Sequence, residues 1–160
     1  MQDPKQSLLN LLTSNLSVTM DDNSTKANVL ITSAWYTDLM MNKFDALVTV
    51  GMLTDLVTPS GFGFATEDHT YMADVNVWTE NKYNSSGTRI ITDEIIRYKI
   101  VQAVDQILAS NHSALAANGI HRAKISSYRD LDDPTTVPYP LRRAEFTVEL
   151  FIPTVTSLAA

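Results

Sequence analysis

Tyr71-Met72-Ala73-Asp74-Val75-Asn76-Val77-Trp78 alternates along its length: Tyr71, Ala73, Val75 and Val77 fall on one side of an extended chain, Asp74 and Asn76 on the other. Successive side chains of a strand point to opposite faces, so a period of two marks a half-buried strand. Ala144 to Ile152 repeats the pattern, with Ala144, Phe146, Val148, Leu150 and Ile152 on one side and Glu145, Thr147 and Glu149 on the other. Segments that are apolar on one face and polar on the other predict an antiparallel sheet with one face packed and one wet.

Working outward toward the N-terminus, Ala46 to Leu53 is rich in β-branched residues around Val48-Thr49-Val50 and reads as a second strand. Asn28 to Tyr36 reads as the first, ending in Trp35-Tyr36. Between the second and third strands a loop is expected near 54–69, because proline breaks a ladder and glycine loosens the backbone in Thr58-Pro59-Ser60-Gly61-Phe62-Gly63-Phe64. Asp3 before Pro4 is a helix start, and Leu8, Leu9, Leu12 and Leu16 recur at helical spacing. They predict a helix near residues 4 to 16 whose leucine face covers the sheet or a neighbouring subunit. Residues 17–26 read as a polar loop.

Toward the C-terminus, Asn81 to Gly87 is a connector, and Thr92 is expected to cap a long helix running to Ser110. Ile96, Ile100, Val104, Ile107 and Leu108 form its buried stripe. Asn118-Gly119 ends the helical region, Ile120 to Arg129 gives a fourth strand, 130–141 a proline-punctuated loop, and Arg142 to Ile152 a fifth strand stopped by Pro153, with a short tail after 153. The expected fold is therefore α+β: about five strands, mostly antiparallel, packed against an N-terminal helix and one long helix between strands three and four, in a single domain spanning 1–160.

At 160 residues a domain hides roughly 70% of the surface its unfolded chain exposes, so no disulfide is needed. Twelve Lys and Arg against 18 Asp and Glu give a net charge of −6, which disfavours phosphate-driven nucleic-acid affinity without forbidding a local basic patch. The absence of cysteine removes thiol nucleophiles and cysteine-ligated zinc. Met1-Gln2-Asp3-Pro4-Lys5 lacks the basic-then-apolar order of a signal peptide, and no apolar run reaches the roughly 18 residues of a membrane span. A soluble intracellular protein is the expectation.

Chemistry leaves few marks. His69, His112 and His121 lack the spacing that places ligands on one helix face. Asp130, Asp132 and Asp133 miss the glycine and distal glutamate of a calcium loop, and Gly61-Phe62-Gly63 misses the third glycine of a dinucleotide site. No serine sits in a Gly-x-Ser-x-Gly elbow. Asn15, Asn23, Asn84 and Asn111 open glycosylation triplets, read as by-products of composition. Arg122, Lys124, Arg129, Arg142 and Arg143 make the last third locally basic. They could touch phosphates, but in an acidic chain pairing with the acids of a neighbouring copy is the preferred reading. A non-enzymatic protein with no cofactor and no metal is expected.

Ala73-Asp74-Val75-Asn76-Val77-Trp78, then Ile95-Ile96-Arg97 opening a helix, then Arg143 leading a terminal strand, in this order of elements, resembles the tail terminator or tail-completion proteins of long-tailed phages and related tailed viruses. The likeness covers most of the chain and is one of architecture, without an invariant catalytic motif. It implies a virion structural protein of the tail or neck, present in the host cytoplasm during assembly. Copies of it, commonly six, would form a ring that completes the tail tube, meets the head-side connector and lets DNA pass without sequence-specific binding. The residues expected to touch neighbouring copies or these partners are Leu8, Leu12, Trp35, Tyr36, Phe62, Phe64, Arg142 and Arg143. A head-side adaptor or stopper, another tail-tube-related protein, and a small α+β enzyme are the alternatives.

Overall fold

A computed structural model describes residues 3–60, 66–131 and 142–155. In chain order the elements are α1 (Pro4–Asn15), β1 (Val29–Thr32), α2 (Asp38–Lys43), β2 (Ala46–Ser60), β3 (Thr66–Thr79), β4 (Lys82–Tyr83), β5 (Arg89–Ile91), α3 (Asp93–Ser110), α4 (His112–Ala117), β6 (Arg122–Asp130) and β7 (Arg142–Val155). The fold is α+β. Five strands form one sheet in the order β1-β2-β3-β7-β6, and β4 pairs with β5 alone. Only β1 and β2 run parallel; the other pairs of the large sheet are antiparallel. Taking that sheet's strands in chain order, the long helix α3 falls between the third, β3, and the fourth, β6, as expected.

Alternation divides the sheet into two faces. Val48, Val50, Val75, Val77, Phe146, Val148 and Leu150 are fully buried and join Leu8 and Leu12 of α1, Ile96, Ile100 and Val104 of α3 and Leu115 of α4 in one core. One device keeps β2 in phase with it. A bulge shifts the register between Val50 and Leu53, so Val50 faces Val75 and Leu53 faces Ala73, both toward the helices. Gly51 stands at this bulge, where an added Cβ would come within 3.4 Å of the Asp74 carbonyl oxygen.

Several boundaries differ from those read in the sequence. The loop expected near 54–69 is mostly strand: β2 continues to Ser60, β3 begins at Thr66, and Pro59 lies opposite Glu67. β1 pairs only with Ala46 to Thr49, so beyond that point β2 is an edge, where a proline's missing N–H breaks no ladder. The same reason explains Pro153, which does not stop β7. β6 pairing begins at the Arg122–Phe151 position, leaving Pro153 unpaired on that side while β7 runs on to Val155. The first strand ends at Thr32, and a short helix follows Trp35-Tyr36 instead. The connector after Thr79 holds the β4–β5 pair. Asp130 is the last residue of β6, and the rest of the expected loop, including Asp132 and Asp133, lies mainly outside the described residues.

Helix caps are made partly by distant residues. Asp3 accepts from the Lys5 amide at 3.0 Å, as its place before Pro4 predicts. Thr92 stands at the start of α3 but does not cap it with its side chain. Its hydroxyl and amide donate to the Asp21 carboxylate at 2.7 and 2.9 Å, while the Asn81 side-chain Oδ1 accepts from the Asp93 amide at 3.0 Å. Lys99 completes the stitching, donating to the Thr19 and Met20 carbonyls and to Asn23 at 2.8 to 3.2 Å. The polar loop 17–26 is thus fastened to α3 by an acid and a lysine.

Candidate subunit interface

On the sheet face away from α3, Leu47, Trp78 and Arg143 lie in one row across β2, β3 and β7. The chain between β1 and β2 folds over them. Asn28 and Asp45 pinch its two ends, with the Asp45 amide donating to the Asn28 carbonyl at 2.8 Å and the Asn28 amide donating to the Asp45 carboxylate at 2.6 Å. Thr37 accepts from the Met40 amide and caps α2. Met41, Leu47 and Trp78 are buried together as a second, smaller core, with Tyr36, Met40 and Phe44 packed against it.

Aromatic rings build the surface of this satellite core. Tyr36 stacks on Trp78 at 4.7 Å between centroids, and Trp35 meets Trp78 edge to face at 5.2 Å. The Arg143 guanidinium lies 5.1 Å from the Trp78 ring and 5.9 Å from Trp35, within cation–π range of both. Trp78 is fixed from below, its indole N–H donating to Thr49 Oγ1 at 3.0 Å. Burial, aided by the hydrogen bond to Asp38, raises the Tyr36 phenol well above its ordinary pKa, so it stays protonated and donates. Trp35 remains 55% exposed and Leu39 of α2 72% exposed. Trp, Tyr and Arg are the residues that dominate binding energy in protein interfaces.

Of the eight positions singled out in the sequence, Trp35, Tyr36 and Arg143 come together here. Trp78 joins them, and its place opposite Arg143 follows from strand register alone. Leu8 and Leu12 are fully buried inside the chain and serve the core rather than a neighbour, while Leu9, Leu11 and Leu16 are half-buried against it. Arg142 points to the opposite side from Arg143. It reaches Asp93 at 2.9 Å and Glu94 at 3.5 Å at the start of α3, and serves as an internal clasp. Phe62 and Phe64 lie outside the described residues.

The remainder of the open face mixes charged and polar residues with Leu56, Met72 and Phe151. Arg129 pairs with Glu145, which lies in one row with Asn76 and Thr49, and Arg122 approaches Glu149 at 3.8 Å while lying over the Phe151 ring. At the far end of β3, His69 Nδ1 lies 2.9 Å from Asp55 and its Nε2 lies 3.5 Å from Glu67. Among the described residues no group of three or more His, Cys, Asp or Glu is placed to hold a metal, and no helix is long and apolar enough to cross a membrane. A groove of about 280 Å³ between α1 and α4 is lined by Ser7, Asn10, Asn15, Asn111 and neighbours. Asn15 and Asn111 donate back to their own helix carbonyls at Leu11 and Ile107, and no charged side chain lines that groove. Compared with known proteins, the chain matches no family model and no curated sequence.

Proposed function

We propose that the chain is a virion structural protein whose copies, six as the resemblance implies, close into a ring that completes the tail tube and joins it to the head-side connector. One observation carries the reading beyond the resemblance. Trp35, Tyr36 and Arg143, far apart in sequence, converge with Trp78 into a partly exposed aromatic–arginine surface on the open side of the sheet. Such a surface is built to be covered by another protein. Mechanism here means geometric closure: each copy offers two unlike patches, and rotation brings the last copy back to the first. A net charge of −6 lets DNA pass without lasting phosphate contacts. No step uses proton transfer, a metal or a cofactor.

The test is genetic. Loss of the gene should leave capsids that fill with DNA and tails that form, yet the two should fail to join and some tails should grow beyond normal length. Normal virions from the knockout would refute the assignment, as would electron microscopy that places the chain away from the neck.

A further inference from the structure

Among the described residues the large sheet has two open edges, and they are unlike. From Val50 to Ser60 the outer side of β2 has no strand partner among the described residues, because β1 covers only Ala46 to Thr49. At the other end of the sheet β6 is the terminal strand, and among the described residues no strand lies on its outer side. A free edge is a row of N–H and C=O groups ready to pair with another chain, and proteins usually shorten it, charge it or cover it. The β2 edge is long and weakly guarded. Thr54 to Pro59 are all exposed, among them Leu56 and Val57, and the proline comes only at the far end.

We infer that the outer edge of β2 in one copy pairs with the outer edge of β6 in the next, so that the sheet continues from subunit to subunit. The occupant of each edge is therefore a second copy of this chain. Position favours it first. Through the successive registers, Leu56, Thr70, Phe151 and Arg122 form one row across the sheet, and Thr54, Met72, Glu149 and Lys124 form another. The two edges thus lie at the same level, and a rotation without rise brings them side by side.

Direction agrees. The β2–β3, β3–β7 and β7–β6 pairs are each antiparallel, so β6 runs opposite to β2. An axis along the strands preserves their directions, and the new pair is antiparallel like its neighbours. Charge then separates this partner from the obvious rival. No Lys or Arg occurs between Lys43 and Lys82, a stretch that carries Asp45, Asp55, Glu67, Asp68, Asp74 and Glu80. β6 offers Arg122, Lys124 and Arg129 against the single acid Asp130. On β2 itself Asp55 is the only charged residue, so a second β2 would bring that acid no base, whereas β6 brings three.

The inference rests on the ring reading for closure, since a contact between unlike edges closes or runs on as a filament. The absence of native cysteine gives a clean probe. Thr54→Cys and Lys124→Cys proteins, purified separately, mixed and mildly oxidised, should give a severalfold excess of disulfide-linked dimer over either alone, because facing strand positions fall within disulfide reach. Leu56→Cys with Arg122→Cys, one row away, repeats the measurement should the first pair fold poorly. Linkage no greater than that of Thr54→Cys with Tyr98→Cys, an exposed helix position, would overturn the pairing. Linkage of Thr54→Cys mainly to itself would overturn it too. Linked oligomers alongside normal virions from the knockout would retain the edge contact and remove the neck role; a neck location without linkage would do the reverse.

Discussion

Val148 and Glu149 are consecutive in β7, yet one is fully buried beneath the helices and the other stands on the open face. Along β3 the contrast holds for Val75, fully buried, and Asp74, half-buried on the other side, whereas Asn76 is covered although it lies on the same side as Asp74. One face is completed by the chain itself, with α1, α3 and α4 laid over alternate apolar residues. The other is completed only at one end, where α2 and three aromatic rings cover Leu47 and Trp78. Folding is settled on the first face. What remains for partners is on the second face and along the edges, so substitutions on the two sides should differ in kind as well as in size.

The largest expected effect lies on the helical side. Val148→Asp, from the strand, and Ile100→Asp, from α3, each place a carboxylate in an apolar core and should cost about 3–5 kcal/mol, leaving little soluble protein. Glu149→Gln, one residue from Val148, should stay within about 0.5 kcal/mol in urea unfolding. Near wild-type melting of either aspartate variant would erase the distinction between the faces.

Arg142 and Arg143 offer a narrower form of the comparison, since a single peptide bond separates them and the pleat sends them to opposite sides. Asp93 is 4% exposed and relies on Arg142, so Arg142→Ala leaves a buried carboxylate short of its partner. A loss of about 2 kcal/mol is expected, below the range for a fully buried pair because Arg142 itself is partly solvated. Arg143→Ala removes a cation from beside the buried Trp78 and the exposed Trp35, leaves no buried charge behind, and should cost about 0.5–1 kcal/mol. Denaturant midpoints of the two variants should therefore fall in that order; the reverse order would mean that the aromatic cluster carries more of the fold than its exposure suggests.

How much of this was legible follows the same division. The alternation at Tyr71 to Trp78 and Ala144 to Ile152 and the stripe from Ile96 to Leu108 reveal the covered face, because burial leaves a period in the sequence. Edges leave none. β2 between Thr54 and Pro59 is exposed on both sides and ends in proline, so its composition is that of a loop, and its extended form comes from pairing with β3. α2, at six residues, is too short to show a helical period. Trp35 and Arg143 attract notice in the sequence, but their meeting depends on the register that sets Trp78 opposite Arg143, which no local pattern encodes. The leucine face of α1 fits a sheet or a subunit equally well until the packing is seen.

Trp35→Ala sharpens the comparison from the open side. With Trp35 more than half exposed, and Trp78 still held by Thr49 and Tyr36, stability should fall by about 1 kcal/mol or less. Under the proposed function, virion yield should fall far more than this loss explains, because an exposed aromatic anchor contributes mainly to binding. A variant that is folded and fully infectious would take this corner of the sheet out of the interface.

The smallest effect is expected where neither face reaches, in the loop that Lys99 and Asp21 fasten to α3. The Asp22 carboxylate accepts from the Thr25 hydroxyl and from the Ser24 and Thr25 amides, the amide contacts at 2.9 and 2.8 Å. These bonds, that of the Thr25 hydroxyl foremost, lower its pKa from 3.8 to about 2. A pKa depressed by folding means that the ionised form favours the native state. The contribution is therefore whole above the unfolded value and disappears as pH falls through about 2. Asp22→Ala should lower the urea midpoint slightly at pH 5, and the gap from wild type should narrow on acidification through that window. The group is exposed and competes with water for the same donors, so the gap should be the smallest of the series. A gap that widens toward low pH would show that the loop is held by Lys99 and Asp21 alone, with the Asp22 turn opposing them.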